Sequence, residues 1–166
     1  TVNVQDEISS PEHNAKYDPH PDAAGPDPPD TSIADFFHTS ENKPYGWSWL
    51  SDSDDAFEGY ANYKGYSDWN AWYERYDSFT WDDLTSQIDN NNPVMFLVDR
   101  DANGATDHFI PVLAYNDNTR EYGCYTTWSE SETISWHDFQ GMGNDWGVGY
   151  AICIEPGASD LAPVPS

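Results

Sequence analysis

The stretch at residues 92–117, NPVMFLVDRDANGATDHFIPVLAYND, limits what this chain can fold into more than any other part of it. Residues 93–98 are apolar without helical spacing, residues 99–106 are rich in Asp, Asn and Gly, and residues 109–115 are apolar again. Two short apolar runs around a turn-forming segment read as paired β-strands, joined as a hairpin or by a wider connection, and buried on at least one face. His108 stands where the second run opens, so its imidazole belongs at the junction of a sheet and a loop, where a rigid support can present chemistry. A lone histidine there fits two roles, a hydrogen-bonded structural residue or a general base.

The rest of the chain falls into place around that pair. Residues 1–30 read as an extended arm, because six prolines between Pro11 and Pro29 forbid a regular helix or a central strand. Helical signals begin at Thr31 or Ser32 as a cap, with Ile33, Phe36 and Phe37 on one face. A second helix is predicted to start within 51–54, to carry acidic residues in its first turn, to bury Phe57, Tyr60 and Ala61, and to stop at Gly65. The aromatic-dense run from Tyr66 to Phe79 reads either as a platform for sugar or peptide or as filling for a core and its rim. Thr80 and Asp83 form a capping box that opens a helix burying Leu84 and Ile88, and Pro93 ends the connection.

Further on, strands are predicted over 121–128, around 134–136 and over 146–155, with a Gly-rich turn at 141–144. Helices first and strands last describe an α+β domain with an antiparallel sheet over residues 31–156, and residues 157–166 read as a tail or linker. A chain of 166 residues, 37% hydrophobic and 16% aromatic, suits one domain of this kind.

Charge narrows the partners. Six Lys plus Arg against 30 Asp plus Glu give a formal charge of -24, which repels nucleic acid and anionic lipid and leaves cations as natural companions. No apolar run is long enough to cross a bilayer. The chain opens on Thr1 without the basic start and apolar core of a signal peptide, so the expectation is a processed, secreted product of the extracellular space or cell surface. Cys124 and Cys153 both lie in runs that read as strands; a disulfide between them requires those strands to be neighbours, and otherwise they are two buried thiols.

The turn that follows the first apolar run carries a metal-like spacing. Asp99, Asp101, Asn103 and Asp107 occupy relative positions one, three, five and nine, with Gly104 at six, copying the opening of an EF-hand calcium loop. Position twelve is Ile110 instead of a bidentate glutamate, so an acidic β-turn is the other reading. His13, His20, His38 and His137 lack metal-ligand spacing and read as surface or cap residues.

The run TWDDLTSQIDNNNPVMFLVD, then TDHFIPVLAYND, then YTTWSESETISWHDF, resembles the C-terminal two-thirds of papain-like cysteine peptidases, in the branch related to bacteriocin-processing peptidase domains and their secreted bacterial relatives. EISSPEH and TSIADFFHTS resemble the same branch, and LAPVPS resembles the approach to a C-terminal sorting anchor of the Pro-Glu-Pro type, although its Glu and hydrophobic segment are missing. The resemblance implies N-terminal helices packed on a C-terminal twisted antiparallel sheet or half-barrel, with His108 as the general base. It also exposes departures. No cysteine precedes His108, whereas the family's nucleophile opens an N-terminal helix with a glutamine shortly before it. The third catalytic position, usually Asp or Asn, matches Thr126, whose hydroxyl carries no charge to stabilise an imidazolium.

Two functions follow from the resemblance. Either the chain is the large fragment of a secreted, acidic cysteine-peptidase-related domain, inactive by itself and completed by a companion N-terminal fragment, or it is a catalytically retired binding or assembly subunit that contacts copies of itself or other neighbours through its arm and tail.

Overall fold

The computed structural model describes residues 33–39, 47–127 and 133–157. The Pro-rich arm, the caps expected at Thr31 and Ser32, Trp128, His13, His20 and residues 158–166 lie outside the described residues. Two compact units emerge, Thr1–Trp69 with Gly157–Ser166, and Asn70–Pro156.

The first unit holds α1 (Ile33–Phe36), a 3₁₀ turn (Leu50–Asp52) and α2 (Ser53–Tyr63). Asp54 and Asp55 sit in the first turn of α2, where the helix dipole favours negative charge. The Ser53 hydroxyl donates to the Leu50 carbonyl at 2.7 Å. The helix stops as expected: Gly65 takes φ +88, and the amides of Gly65 and Tyr66 bond back to the carbonyls of Asn62 and Ala61. The buried stripe is finer than the sequence predicts. Ser53, Ala56 and Ala61 are buried, whereas Phe57 and Tyr60 are only half-buried. Small side chains occupy the closest approach and the rings pack at its rim, Phe57 edge-on to Phe37 at 5.1 Å and Tyr60 edge-on to Phe36 at 5.6 Å.

The second unit is α+β. It contains β1 (Asn70–Arg75), α3 (Trp81–Asp89), β2 (Val94–Asp99), β3 (His108–Asn116), β4 (Glu121–Cys124), β5 (Ser135–Asp138) and β6 (Gly147–Glu155). The strands form one six-stranded sheet in the order β1-β6-β2-β3-β4-β5, with every pairing antiparallel. β2 to β5 make a meander, and β6 returns to insert between β1 and β2. The predicted hairpin is present, with Val98 opposite His108.

One face of the sheet carries the core: Val94, Phe96 and Val98 of β2, Ile110 and Val112 of β3, Tyr122 and Cys124 of β4, covered by Phe79 and by Trp81 and Leu84 of α3. α3 has the capping box expected of it, since the Thr80 hydroxyl accepts from the Asp83 amide and the Asp83 carboxylate accepts from the Thr80 amide at 2.8 Å.

Three expectations need correction. β1 runs through the aromatic stretch, where no strand was predicted; Trp72 packs against the core, while its neighbour Tyr73 points to the other face and is exposed. β4 ends at Cys124 instead of continuing to 128, because the chain turns away through Thr127 at φ +61. Finally, Cys124 and Cys153 are free and buried. They share a row, Cys153–Val94–Val112–Cys124, with two whole strands between them. At about 4.8 Å per strand their backbones stand roughly 14 Å apart, more than double the span of a disulfide.

Candidate imidazole site

His108 opens β3 at the end of the sheet where the loop 99–107 returns. Its Nε2 lies 2.7 Å from the Thr126 carbonyl oxygen and 3.1 Å from the Thr127 hydroxyl. A carbonyl oxygen only accepts, so Nε2 carries the hydrogen and donates it. In the neutral ring the lone pair is therefore on Nδ1, the nitrogen able to take a proton. The Thr126 side chain, matched by resemblance to the third catalytic position, does not hold the ring. Its main-chain carbonyl does, together with the hydroxyl of the next residue. Thr127 is β-branched yet sits in the left-handed region, a conformation costing about 1–2 kcal/mol, which structures keep where the surroundings demand it.

An aromatic cluster backs the imidazole. The Trp146 ring stands edge-on to His108 at 6.2 Å between centroids, and the same indole stacks on His137 at 4.6 Å with 23° between planes. Tyr122, fully buried, donates its hydroxyl to the Trp146 carbonyl at 2.7 Å, and burial keeps this phenol protonated far above its ordinary range. His137 corrects the expectation of a surface histidine. It pairs with Tyr122 across β5 and β4, and its Nε2 is shielded from water with no hydrogen-bond partner among the described residues. Burial pushes its pKa below 6.5, against the opposing pull of Asp145, Glu121 and Asp138. His38 is exposed, as expected, with Nδ1 3.8 Å from the Asp52 carboxylate.

The acidic turn serves the backbone. Asp99 is fully buried, and its carboxylate accepts amide hydrogens from Asn103 at 3.1 Å, Gly104 at 2.7 Å and Gly143 at 2.8 Å. Burial works to raise its pKa, but the amides of Gly143, Gly104 and Asn103 and the Asp101 side chain together outweigh it and hold the carboxyl below 3.8. The Asn103 side-chain oxygen accepts from the Ala105 amide, and Asp107 accepts from the amide and Nε of Arg100 at 3.1 and 3.4 Å. The oxygens of Asp99, Asn103 and Asp107 that an EF-hand would turn toward calcium are thus bonded to N–H donors, and Asp101 is exposed. Among the described residues no group of three or more His, Cys, Asp or Glu side chains could hold a metal ion.

The cysteines offer no nucleophile. Burial pushes the Cys124 thiol up to about 11; burial first, and then Glu74, Asp83 and Glu155, push Cys153 up to about 12. Both sit in strands, away from the helix N-terminus that lowers a thiol pKa.

Sequence reasoning singled out His108 and Thr126, and the structure brings the two together through the Thr126 carbonyl. That reasoning missed Thr127, Trp146, Tyr122 and His137, whose only signal was polar or aromatic character inside strand-like runs. No helix among the described residues is long and apolar enough to cross a membrane. No family model matches the chain, and neither a curated protein nor a solved structure matches it.

Proposed function

We propose that this chain carries the imidazole half of a papain-like, cysteine-peptidase-related site, in which Nδ1 of His108 takes the proton from a thiol that Cys124 and Cys153 do not provide. The observation that carries this reading is the bonding of His108 Nε2 to the Thr126 carbonyl and the Thr127 hydroxyl. It fixes the ring from behind and puts the lone pair on the opposite nitrogen, as a general base requires. The thiol would come from a companion segment, and the 166-residue chain by itself would not cleave peptides. Its charge of -24 suits a secreted protein working among cations, with screening at roughly 8 Å in physiological salt.

The test is thiol labelling of native material with iodoacetamide at neutral pH, read by intact mass. We expect one labelled cysteine on a co-purifying segment, no label on Cys124 or Cys153 until denaturant is added, and peptide hydrolysis that is lost in His108→Ala. Hydrolysis that survives His108→Ala, or rapid native labelling of Cys124 or Cys153, would overturn the proposal.

A second reading, a retired peptidase fold acting as an extracellular binding or assembly subunit, is favoured by one feature. Two neutral oxygens hold His108 where a carboxylate would stabilise the imidazolium. Native material without a labelled companion and without His108-dependent hydrolysis would select it.

A further inference from the structure

His108 and Trp146 arrive at the same place from two different loops, residues 99–107 and residues 141–146. Each loop is poorly supported by ordinary packing: residues 101–105 and 142–145 are exposed. Each also contains backbone that resists a regular fold, with positive φ at Ala102, Gly104, Gly143 and Trp146. What the loops share is Asp99. One carboxylate takes the amides of Asn103 and Gly104 from the first loop and the amide of Gly143 from the second. Asp99 is the last residue of β2 and pairs with Gly147, the first of β6, so the carboxylate sits where both loops leave the sheet. Glycine is required opposite it, since a Cβ at position 147 would come within 2.3 Å of the Gly141 carbonyl oxygen. Amides gathered on a carboxylate make charge-assisted hydrogen bonds, roughly twice as strong as neutral ones.

We infer that Asp99 is a positioning residue for the His108 site: by joining the two loops it fixes the Trp146 ring against the imidazole, and so keeps Nε2–H on the Thr126 carbonyl that sets the tautomer and holds the aim of Nδ1. This deepens the proposed function and rests on the reading of His108 as the base. A change at Asp99 acts on the imidazole through the two loops, because the carboxylate's partners are their amides and the Asp101 side chain of the first loop.

The test reads the ring itself, by nitrogen-15 imidazole spectra and His108–Trp146 proton contacts in the folded chain, so it stands apart from any hydrolysis assay. In the unaltered chain we expect His108 protonated at Nε2, a contact between the two rings, and a Gly143 amide that exchanges with solvent about 100-fold more slowly than the other exposed amides of its loop. Asp99→Asn keeps the shape but turns an amide N–H₂ toward N–H donors; it should weaken the ring contact and mix the tautomers while the β2–β3 ladder stays protected. Asp99→Glu, which keeps the charge, should restore part of the contact.

A retained contact and tautomer in Asp99→Asn would overturn the inference, leaving Asp99 a purely structural group. So would a Gly143 amide that exchanges at the rate of its neighbours in the unaltered chain, a measurement that holds even if the variant fails to fold. If both loop measurements come out as expected but no hydrolysis depends on His108, the positioning role stands and the peptidase reading falls.

Discussion

Asp99 and His137 both touch the loop that carries Trp146, and both are titratable groups withdrawn from water, yet one is kept charged and the other is not. Asp99 has three amide donors and keeps its negative charge despite complete burial. His137 has a shielded Nε2 with no partner among the described residues and is held neutral. Burial sets the cost of a charge, and the local supply of donors or acceptors decides whether that cost is met. One group therefore acts as an anchor, and the other as a weak point. Both hold Trp146 in place behind His108, one through hydrogen bonds and the other through a stacked ring.

The largest effect should come from the anchor. Asp99→Asn is expected to lower stability by about 3 kcal/mol in urea denaturation, since several bonds to a charged acceptor are lost and amide faces amide. Asp107→Asn, at the other end of the same loop and paired with Arg100 at the surface, should stay within about 0.5 kcal/mol. Equal losses for the two variants would break the comparison, because the number of buried donors would then not be what matters.

Tyr122→Phe tests the intermediate case of a buried neutral group with one partner. Removing its hydroxyl takes that donor from the Trp146 carbonyl, and the expected loss is about 1 kcal/mol by the same measurement. A loss as large as that of Asp99→Asn would mean that charge adds nothing to the anchoring of this loop.

How much of this was legible in the sequence depends on where each signal resides. The Thr80–Asp83 capping box and the stop at Gly65 are local, written in residues a few positions apart, and the hairpin is written in two contiguous runs around one turn; all three appear as read. β1 escaped because Trp72 and Tyr73 are adjacent and both large, so the run Asn70–Arg75 shows no clean alternation in composition, and burial alternates only from Trp72 onward. The acidic turn was legible as a set of converging oxygens, but not what they converge on. One of the donors to Asp99 is the amide of Gly143, 44 residues away, and a backbone amide leaves no trace in residue identity. The same holds for His108, since the Thr126 atom that orients it is a carbonyl every residue type possesses. The cysteine pairing turned on strand order, which the alternation within each strand does not encode.

The smallest effect, and the one that sharpens the contrast most, is the pH dependence contributed by His137. In the unfolded chain its imidazole takes a proton near pH 6.5, whereas in the folded chain burial holds its pKa lower. Between those two values the unfolded state binds the extra proton, so stability falls as pH drops below 6.5 and stops falling once the folded state also takes the proton. The sign is that of a group which is most stabilising, relative to its protonated form, at neutral pH and above. His137→Gln removes this share while leaving His38 and His108 in place, so the comparison is made within pairs. Urea midpoints measured at pH 7.5 and pH 5.5 should drop more for the unaltered chain than for the variant. An equal drop would mean that His137 charges as easily in the folded protein as in the unfolded one, and that Trp146 or the carboxylates of Asp145, Glu121 and Asp138 supply the stabilisation that its Nε2 lacks.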